Sequence, residues 1–260
     1  MTYRFALITG ATSGIGEALA RALPEETGLL LTGRDGIRLA ALKAELADKE
    51  RQVETLVADL SEDAGRDALV SAAESLPLDL LVNNAGLGQA GRMIDNLAER
   101  ERETVEVNVV APVVLTRALL PAMLGRAKME KQRAGLIIVS SVLGFQPTPL
   151  MATYAASKAF DLYYAEALAS ELAGEPVDVL ALCPGGTRTR FGERAGMRSF
   201  SPGLADSAER VAREALEALG RRSVHVVGAR NQITSTLPRL LPRSAVTAIF
   251  RRALTGMVQR

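Results

Sequence analysis

The chain has one cysteine, Cys183, one histidine, His225, and no tryptophan in its 260 residues. A single thiol closes no internal disulfide, and one imidazole supports neither a zinc ligand set nor a Ser/His/Asp triad, so no metal is expected. Cys183 reads as a small buried apolar residue, and His225, within SVHVVG, as a strand residue rather than a base. Also missing is an apolar run approaching the roughly 18 residues of a membrane span. Met1 to Gly10 carries no basic n-region followed by a long apolar h-region, so a cytoplasmic location is expected. Net charge is nearly absent, at +1, which gives no basis for a nucleic-acid partner. That balance hides an asymmetry. From Ala218 to Arg260 there are eight arginines and no acidic residue, so residues 1–217 hold 23 basic against 30 acidic side chains, a net −7.

What is present in quantity is core. A hydrophobic content of 48% over this length suits one large α/β domain. Short apolar runs at Phe5–Thr9, Gly28–Thr32, Val53–Ala58, Asp79–Asn83, Leu136–Ser140, Val177–Cys183 and Ser223–Val227 fit strands buried on both faces. Amphipathic stretches alternate with them, among them Gly14–Leu23, Gly36–Arg51, Ser61–Leu76, Met93–Leu124, Met151–Ala173 and Ser207–Gly220. Strand then helix, repeated, predicts a doubly wound α/β domain with a seven-stranded parallel sheet and helices on both faces.

Between the first strand and the first helix the chain reads TGATSGIG, with Gly10, Gly14 and Gly16 within seven residues. In a doubly wound sheet this turn is where free backbone N–H groups and a helix dipole can meet a dinucleotide pyrophosphate. Gly10 and Gly14 permit the turn, and Gly16 permits close packing of the helix. Further along, Tyr154 and Lys158 stand four apart, on one helical face, so a phenol and an ammonium share a small volume. A nearby cation lowers a phenol's pKa, which would make Tyr154 an acid/base group near neutral pH. Ser140 and Ser141 close the buried run AGLIIVSS, at a carboxyl edge where a hydroxyl can hydrogen-bond a substrate oxygen.

The glycine loop, NNAG at Asn83–Gly86, VNV around Asn108, Ser141, the YAASK segment and CPGGTRT from Cys183 occur in that order. Together they resemble the short-chain dehydrogenase/reductase family over residues 1 to about 190. The resemblance implies a Rossmann domain at 1–230 and these roles. Tyr154 exchanges a proton with the substrate oxygen, Lys158 binds the nicotinamide ribose and lowers the tyrosine pKa, Ser141 orients the carbonyl, and Asn108 holds a water in a proton relay. For the cofactor it implies Gly10, Thr12, Ser13, Gly14, Ile15 and Gly16 at the phosphates, Asp59 and Leu60 at the adenine, and Asn84, Ala85 and Gly86 along the adenosine. Pro184 and Gly185 would lie beneath the nicotinamide, with Thr187 and Thr189 near its carboxamide; Thr187 replaces the Val or Ile usual there. Where an acidic residue would bind both ribose hydroxyls, the chain has Gly33 followed by Arg34, which favours NADP(H). Asp35 beside it, and Ser13 in place of a basic loop residue, run against that preference.

Beyond Thr189 the resemblance thins. Residues 190–205, rich in glycine and charge, are expected to form a mobile lid over the substrate. Residues 231–260 form a basic extension in which Val246, Ile249, Phe250, Ala253, Leu254 and Met257 follow helical spacing. This helix would cover the pocket or join subunits, or make weak peripheral contact with anionic lipid. The VHVVGARN ending departs from the family's usual terminus and with it from the common tetramer, while the long helices of the other interface remain; a homodimer or homotetramer is expected. The reaction expected is hydride transfer between NADP(H) and a carbonyl or secondary alcohol; few charges are evident near the pocket outside the lid, which points to a lipophilic substrate. Two alternatives stand beside it, a sugar-nucleotide epimerase or dehydratase and a catalytically silent NADP-binding regulator. The former usually has a longer chain and another glycine spacing, and the latter would more naturally have lost one of Asn108, Ser141, Tyr154 and Lys158.

Overall fold

The protein is described from a computed structural model, which covers residues 3–47, 51–197 and 205–256. Seven parallel strands lie in the order β3-β2-β1-β4-β5-β6-β7: β1 Phe5–Thr9, β2 Gly28–Gly33, β3 Val53–Val57, β4 Leu80–Asn83, β5 Ala134–Val139, β6 Val177–Cys183 and β7 Val224–Val226. Each predicted strand is present within two residues of its expected ends. Alternate side chains leave opposite faces of a strand, and both faces of this sheet are covered. From β1, Ala6 and Ile8 join one core and Phe5 and Leu7 the other. The first core is closed by α1 (Gly14–Ala22), α2 (Gly36–Leu46) and α8 (Ala208–Ala218), the second by α3 (Asp63–Glu74), α5 (Ala111–Glu130) and α6 (Ala152–Glu171). Fully burying one such Leu or Ile is worth about 1.5–3 kcal/mol, which is why runs with no polar alternation fold as strands here.

Three expectations need correction. Helix α2 stops at Leu46, where Ala47 turns extended, rather than running to Arg51. Arg51 is buried and donates to the carbonyls of Thr27 and Ala20 at 3.0 and 3.1 Å, bracing the entry to β3. The helix expected from Met93 begins at Ala98, as α4 (Ala98–Val105), passes through a π segment at Glu106–Val110, and continues as α5 to Glu130. Within these 33 residues an 18-residue window has a mean hydropathy of 1.8 and is half buried. By length and composition alone this helix could cross a membrane, contrary to the expectation that no run approaches that length. Here it packs along the sheet.

The C-terminal part comprises α9 (Ala229–Thr236), a short 3₁₀ turn at Leu237–Leu240 and α10 (Arg243–Thr255). The boundary expected at 230/231 falls inside α9. Val246 and Leu254 of α10 are buried while Ile249 is exposed; Met257 lies outside the described residues.

Candidate active site

The glycine turn joins β1 to α1 through Gly10 (φ 67°) and Gly14 (φ 61°), both in the left-handed region that glycine tolerates. A Cβ on Gly14 would stand 2.7 Å from Thr189 Cγ2, so the missing side chain keeps open the gap between this turn and the segment after β6. A Cβ on Gly16 would sit 2.5 Å from the Gly10 carbonyl and from Asn84 Nδ2, so only glycine lets α1 approach so closely. Ser13, the N-cap of α1, makes no side-chain capping bond, leaving the first-turn N–H groups for an anion.

These segments line a cavity of about 1060 Å³ at the carboxyl ends of the strands. All but two of the catalytic and cofactor residues expected from the sequence line it. Gly16 packs behind the turn, and Asn108 is fully buried in the π segment. The Asn108 side chain donates to the Leu87 carbonyl at 2.9 Å and to Ser157 Oγ at 2.9 Å, and accepts from Leu87 N–H at 2.8 Å. Both its N–H donors are spent on protein, so the expected water-holding role does not belong to them. Pro112, lacking an N–H, leaves the Asn108 backbone carbonyl without the donor an α-helix would supply four residues on.

Near β2, Arg34 lines the cavity half-exposed, with its guanidinium 3.5 Å from Asp59 Oδ2. Burial alone would raise the Asp59 pKa, but hydrogen bonds from Ser61 and the charge of Arg34 outweigh it and hold the carboxyl low. Arg38, not singled out from sequence, donates to the Thr12 carbonyl at 3.1 Å and braces the glycine turn. Its spacing from Asp35, the N-cap of α2, was the available clue.

At the other end, β5 delivers Ser140 and Ser141. Ser140 Oγ donates to the Lys158 carbonyl at 2.6 Å, tying α6 to the sheet, while Ser141 Oγ accepts from Leu143 N–H and interacts with the Tyr154 phenol. Lys158 Nζ lies 6.0 Å from the Tyr154 ring centre, donates to the Val139 carbonyl at 2.8 Å and pairs with buried Asp161 at 2.8 Å. The expected lowering of the tyrosine pKa is not what the site shows. Burial raises it, Lys158 and Ser141 pull it down, Asp161 pushes it up, and the net direction is upward. For Lys158, burial lowers the pKa but Asp161 and then Tyr154 outweigh it, so the ammonium holds its proton more firmly than usual.

Met151, Tyr154, Ala195, Met197 and Leu254 form a small apolar cluster, with Leu143 and Phe191 packed against it. The Phe191 ring lies 4.9 Å from that of Tyr154. Residues 191–197, expected to belong to a mobile lid, therefore include a short packed helix, α7 (Phe191–Arg194). The rest of that expectation, at 198–204, lies outside the described residues. Arg194, within the expected lid, lines the cavity, and so does Arg100 outside it, a charge near the pocket that was not expected there. Cys183, at the end of β6, is fully buried, with its thiol pushed up to about 12 by burial. No cluster of His, Cys, Asp and Glu able to hold a metal occurs among the described residues.

A model of the short chain dehydrogenases matches residues 4–198. The chain belongs to the short-chain dehydrogenase/reductase family. Dehydrogenase/reductase SDR family member 7B of Rattus norvegicus is 30% identical over 275 residues, covering 98% of this chain and 81% of that protein. A short chain dehydrogenase of Pseudocercospora fijiensis is 35% identical over 192 residues, covering 72% of this chain and 60% of that one. Among solved structures, a 7β-hydroxysteroid dehydrogenase superposes with a TM-score of 0.83 at 25% identity, covering 95% of this chain and 96% of the other. A Sphingobium yanoikuyae enzyme in complex with NADPH gives 0.78 at 30% identity, covering 98% and 96%. One from Burkholderia phymatum in complex with NAD gives 0.77 at 27%, covering 92% and 94%. The chain is thus a member of a family of nicotinamide-dependent oxidoreductases acting on small molecules.

The Lys158–Asp161 pair makes one prediction about stability. Lys158→Ala leaves a carboxylate buried with no counter-charge, and breaking such a pair costs about 3–5 kcal/mol. Alone in the core, Asp161 has a folded-state pKa well above its unfolded value, so the deficit should be full at high pH and shrink as pH falls through that folded value. Thermal unfolding across pH checks this. A deficit independent of pH would leave lost packing as its cause.

Proposed function

We propose that the protein is an NADP(H)-dependent oxidoreductase exchanging a hydride between the nicotinamide and a carbonyl or secondary alcohol, acting as a cytoplasmic homodimer or homotetramer. The observation that carries this reading is the convergence of Tyr154, Ser141 and Lys158 on one end of a cavity whose other end is the glycine turn. When bound, the cofactor supplies the hydride. The remaining work is the chain's own. The N-terminus of α1 and the Gly10–Gly14 turn would hold the pyrophosphate, Asp59 and Leu60 the adenine, and Pro184, Gly185, Thr187 and Thr189 the nicotinamide. Ser141 orients the substrate oxygen, and Tyr154 gives or takes the proton at that oxygen while Lys158 stabilises the phenolate. Asn108 ties the π segment to α6 through Ser157.

The substrate wall formed by Met151, Phe191, Met197 and Leu254 is apolar, which supports a lipophilic carbonyl compound. A hydroxysteroid dehydrogenase among the structural neighbours accords with that class. Arg100 and Arg194 at the lining add a place for a polar end.

The chemistry is tested by Tyr154→Phe. NADPH affinity should stay within about twofold while turnover falls by orders of magnitude, since only the transferable proton is removed; preserved turnover would end the assignment. Cofactor choice is tested by Arg34→Ala. A charge-assisted contact to the 2′-phosphate is worth about 1.5–3 kcal/mol, so the Michaelis constant for NADPH should rise roughly tenfold or more with that for NADH nearly unchanged. Equal changes would make Arg34 a surface charge.

The docking of α10 through Val246 and Leu254 supports its role as a cover on the substrate pocket. Its outer side, with Ile249, Arg251 and Arg252, suits weak contact with anionic lipid. Truncation after Leu241 should raise the Michaelis constant of a bulky ketone, leave NADPH affinity intact, and abolish sedimentation with phosphatidylserine vesicles at low salt. Unchanged ketone kinetics would refute the cover, and absence of sedimentation by the intact chain would refute the lipid contact.

A further inference from the structure

Asp161 lies one turn beyond Lys158 on α6 and has no part in the mechanism above. It is 1% exposed, its Oδ2 stands 2.8 Å from Lys158 Nζ, and its Oδ1 meets no donor among the described residues. An ionised carboxylate in such a place is costly unless a cation shares it, and Lys158 is that cation. An ammonium has three N–H groups. Asp161 takes one, and the Val139 carbonyl at the end of β5 takes another at 2.8 Å. Because both acceptors are fixed in secondary structure, they set the direction of the third. Gly86 faces the ammonium without a side chain: a Cβ there would lie in contact with Nζ at 3.6 Å, and both Gly86 and Lys158 line the cavity.

We propose that Asp161 is a positioning residue of this site: its buried carboxylate anchors the Lys158 ammonium against the end of β5, leaves one N–H for the cofactor ribose, and offsets the lysine's charge where it reaches Tyr154. This rests on the oxidoreductase reading of the same site. The ionisable groups around the pair are Tyr154 on α6 and Cys183 on β6; Glu166, further along α6, acts on Cys183. At Asp161 itself burial, which raises the pKa, outweighs the charge and hydrogen bond of Lys158, which lower it.

The sign of the effect follows from one negative charge near two proton sites. Asp161 makes both the Lys158 ammonium and the Tyr154 phenol hold their protons more firmly. Removing that charge releases both protons at lower pH.

The test is Asp161→Asn, which keeps the shape and an acceptor oxygen but not the charge. In alcohol oxidation with NADP, the limb of the kcat profile that rises with Tyr154 ionisation should move to lower pH by roughly one unit or more. A falling limb should appear at high pH, where Lys158 loses its proton. A cofactor-free measurement reads the same charge directly. The ultraviolet titration of tyrosinate, taken with and without Tyr154→Phe to isolate that phenol, should show Tyr154 ionising at lower pH in Asp161→Asn than in the parent. Superimposable titrations and pH profiles, with only thermal stability reduced, would overturn the proposal and leave a structural ion pair. Should Asp161→Asn not fold, Asp161→Ser removes the same charge and is read in the same way. If Tyr154→Phe retains turnover, the oxidoreductase assignment fails, while the cofactor-free titration still judges Asp161.

Discussion

The cleft exists because two neighbouring parallel strands send their chains apart at the same edge. After Thr9 the chain from β1 turns into α1, on one face of the sheet. After Asn83 the chain from β4 leads towards α4 and α5, on the other. What remains between them must be held without a covering element, and a small hydrogen-bond knot does this. The Thr9 hydroxyl accepts from the backbone N–H groups of Asn84 and Ala85 at 2.9 Å each, and Asn84 Nδ2 donates to the Thr9 carbonyl at 2.7 Å. Gly16 lets α1 close over that knot with no atom to spare. The Asn84 and Ala85 N–H groups are thus spent on the Thr9 hydroxyl, and the Gly10 carbonyl accepts from the Asn84 side chain at 3.3 Å, so the groups that tie the two strand ends together are distinct from those of the following turn.

The end of the cleft that holds Tyr154 and Lys158 depends on a second seam, between β5 and α6. Ser140 holds the Lys158 carbonyl and Val139 holds the Lys158 ammonium, so main chain and side chain of one residue are pinned to the same strand end. Tyr154 lies one turn earlier and inherits that alignment. Asn108 then joins α6 to the π segment through Ser157, whose hydroxyl donates to the Tyr154 carbonyl at 2.8 Å. Phenol, ammonium and serine hydroxyl thus keep their mutual geometry through backbone contacts on three elements.

Much of this was legible in the sequence, for physical reasons. A parallel strand buried on both faces must be written as a continuous apolar run, so Phe5–Thr9 and Val177–Cys183 matched their expected bounds. The glycines were legible because positive φ and close backbone contact leave no other residue. Helix ends were less so, since Arg51 has the composition of an exposed helix while its guanidinium is buried under backbone carbonyls. The π segment had no signal beyond Pro112. Phe191 and Met197 read as parts of an open loop because their partners, Tyr154 and Leu254, are distant in sequence. Asp161 was overlooked for a different reason. An acidic residue three positions after a lysine is an ordinary surface pairing on a helix, and only burial turns it into a determinant of the lysine's charge.

The placement of Cys183 has a practical consequence. The chain's one thiol is sealed at the end of β6, within the field of Lys158 and Asp161, and holds its proton up to about 12. In the folded state it is neither exposed nor nucleophilic, so oxidants and alkylating agents should find nothing to attack. It becomes reactive only when β6 leaves the sheet, and with no other cysteine to compete, the rate of its labelling is a clock for opening of the central sheet.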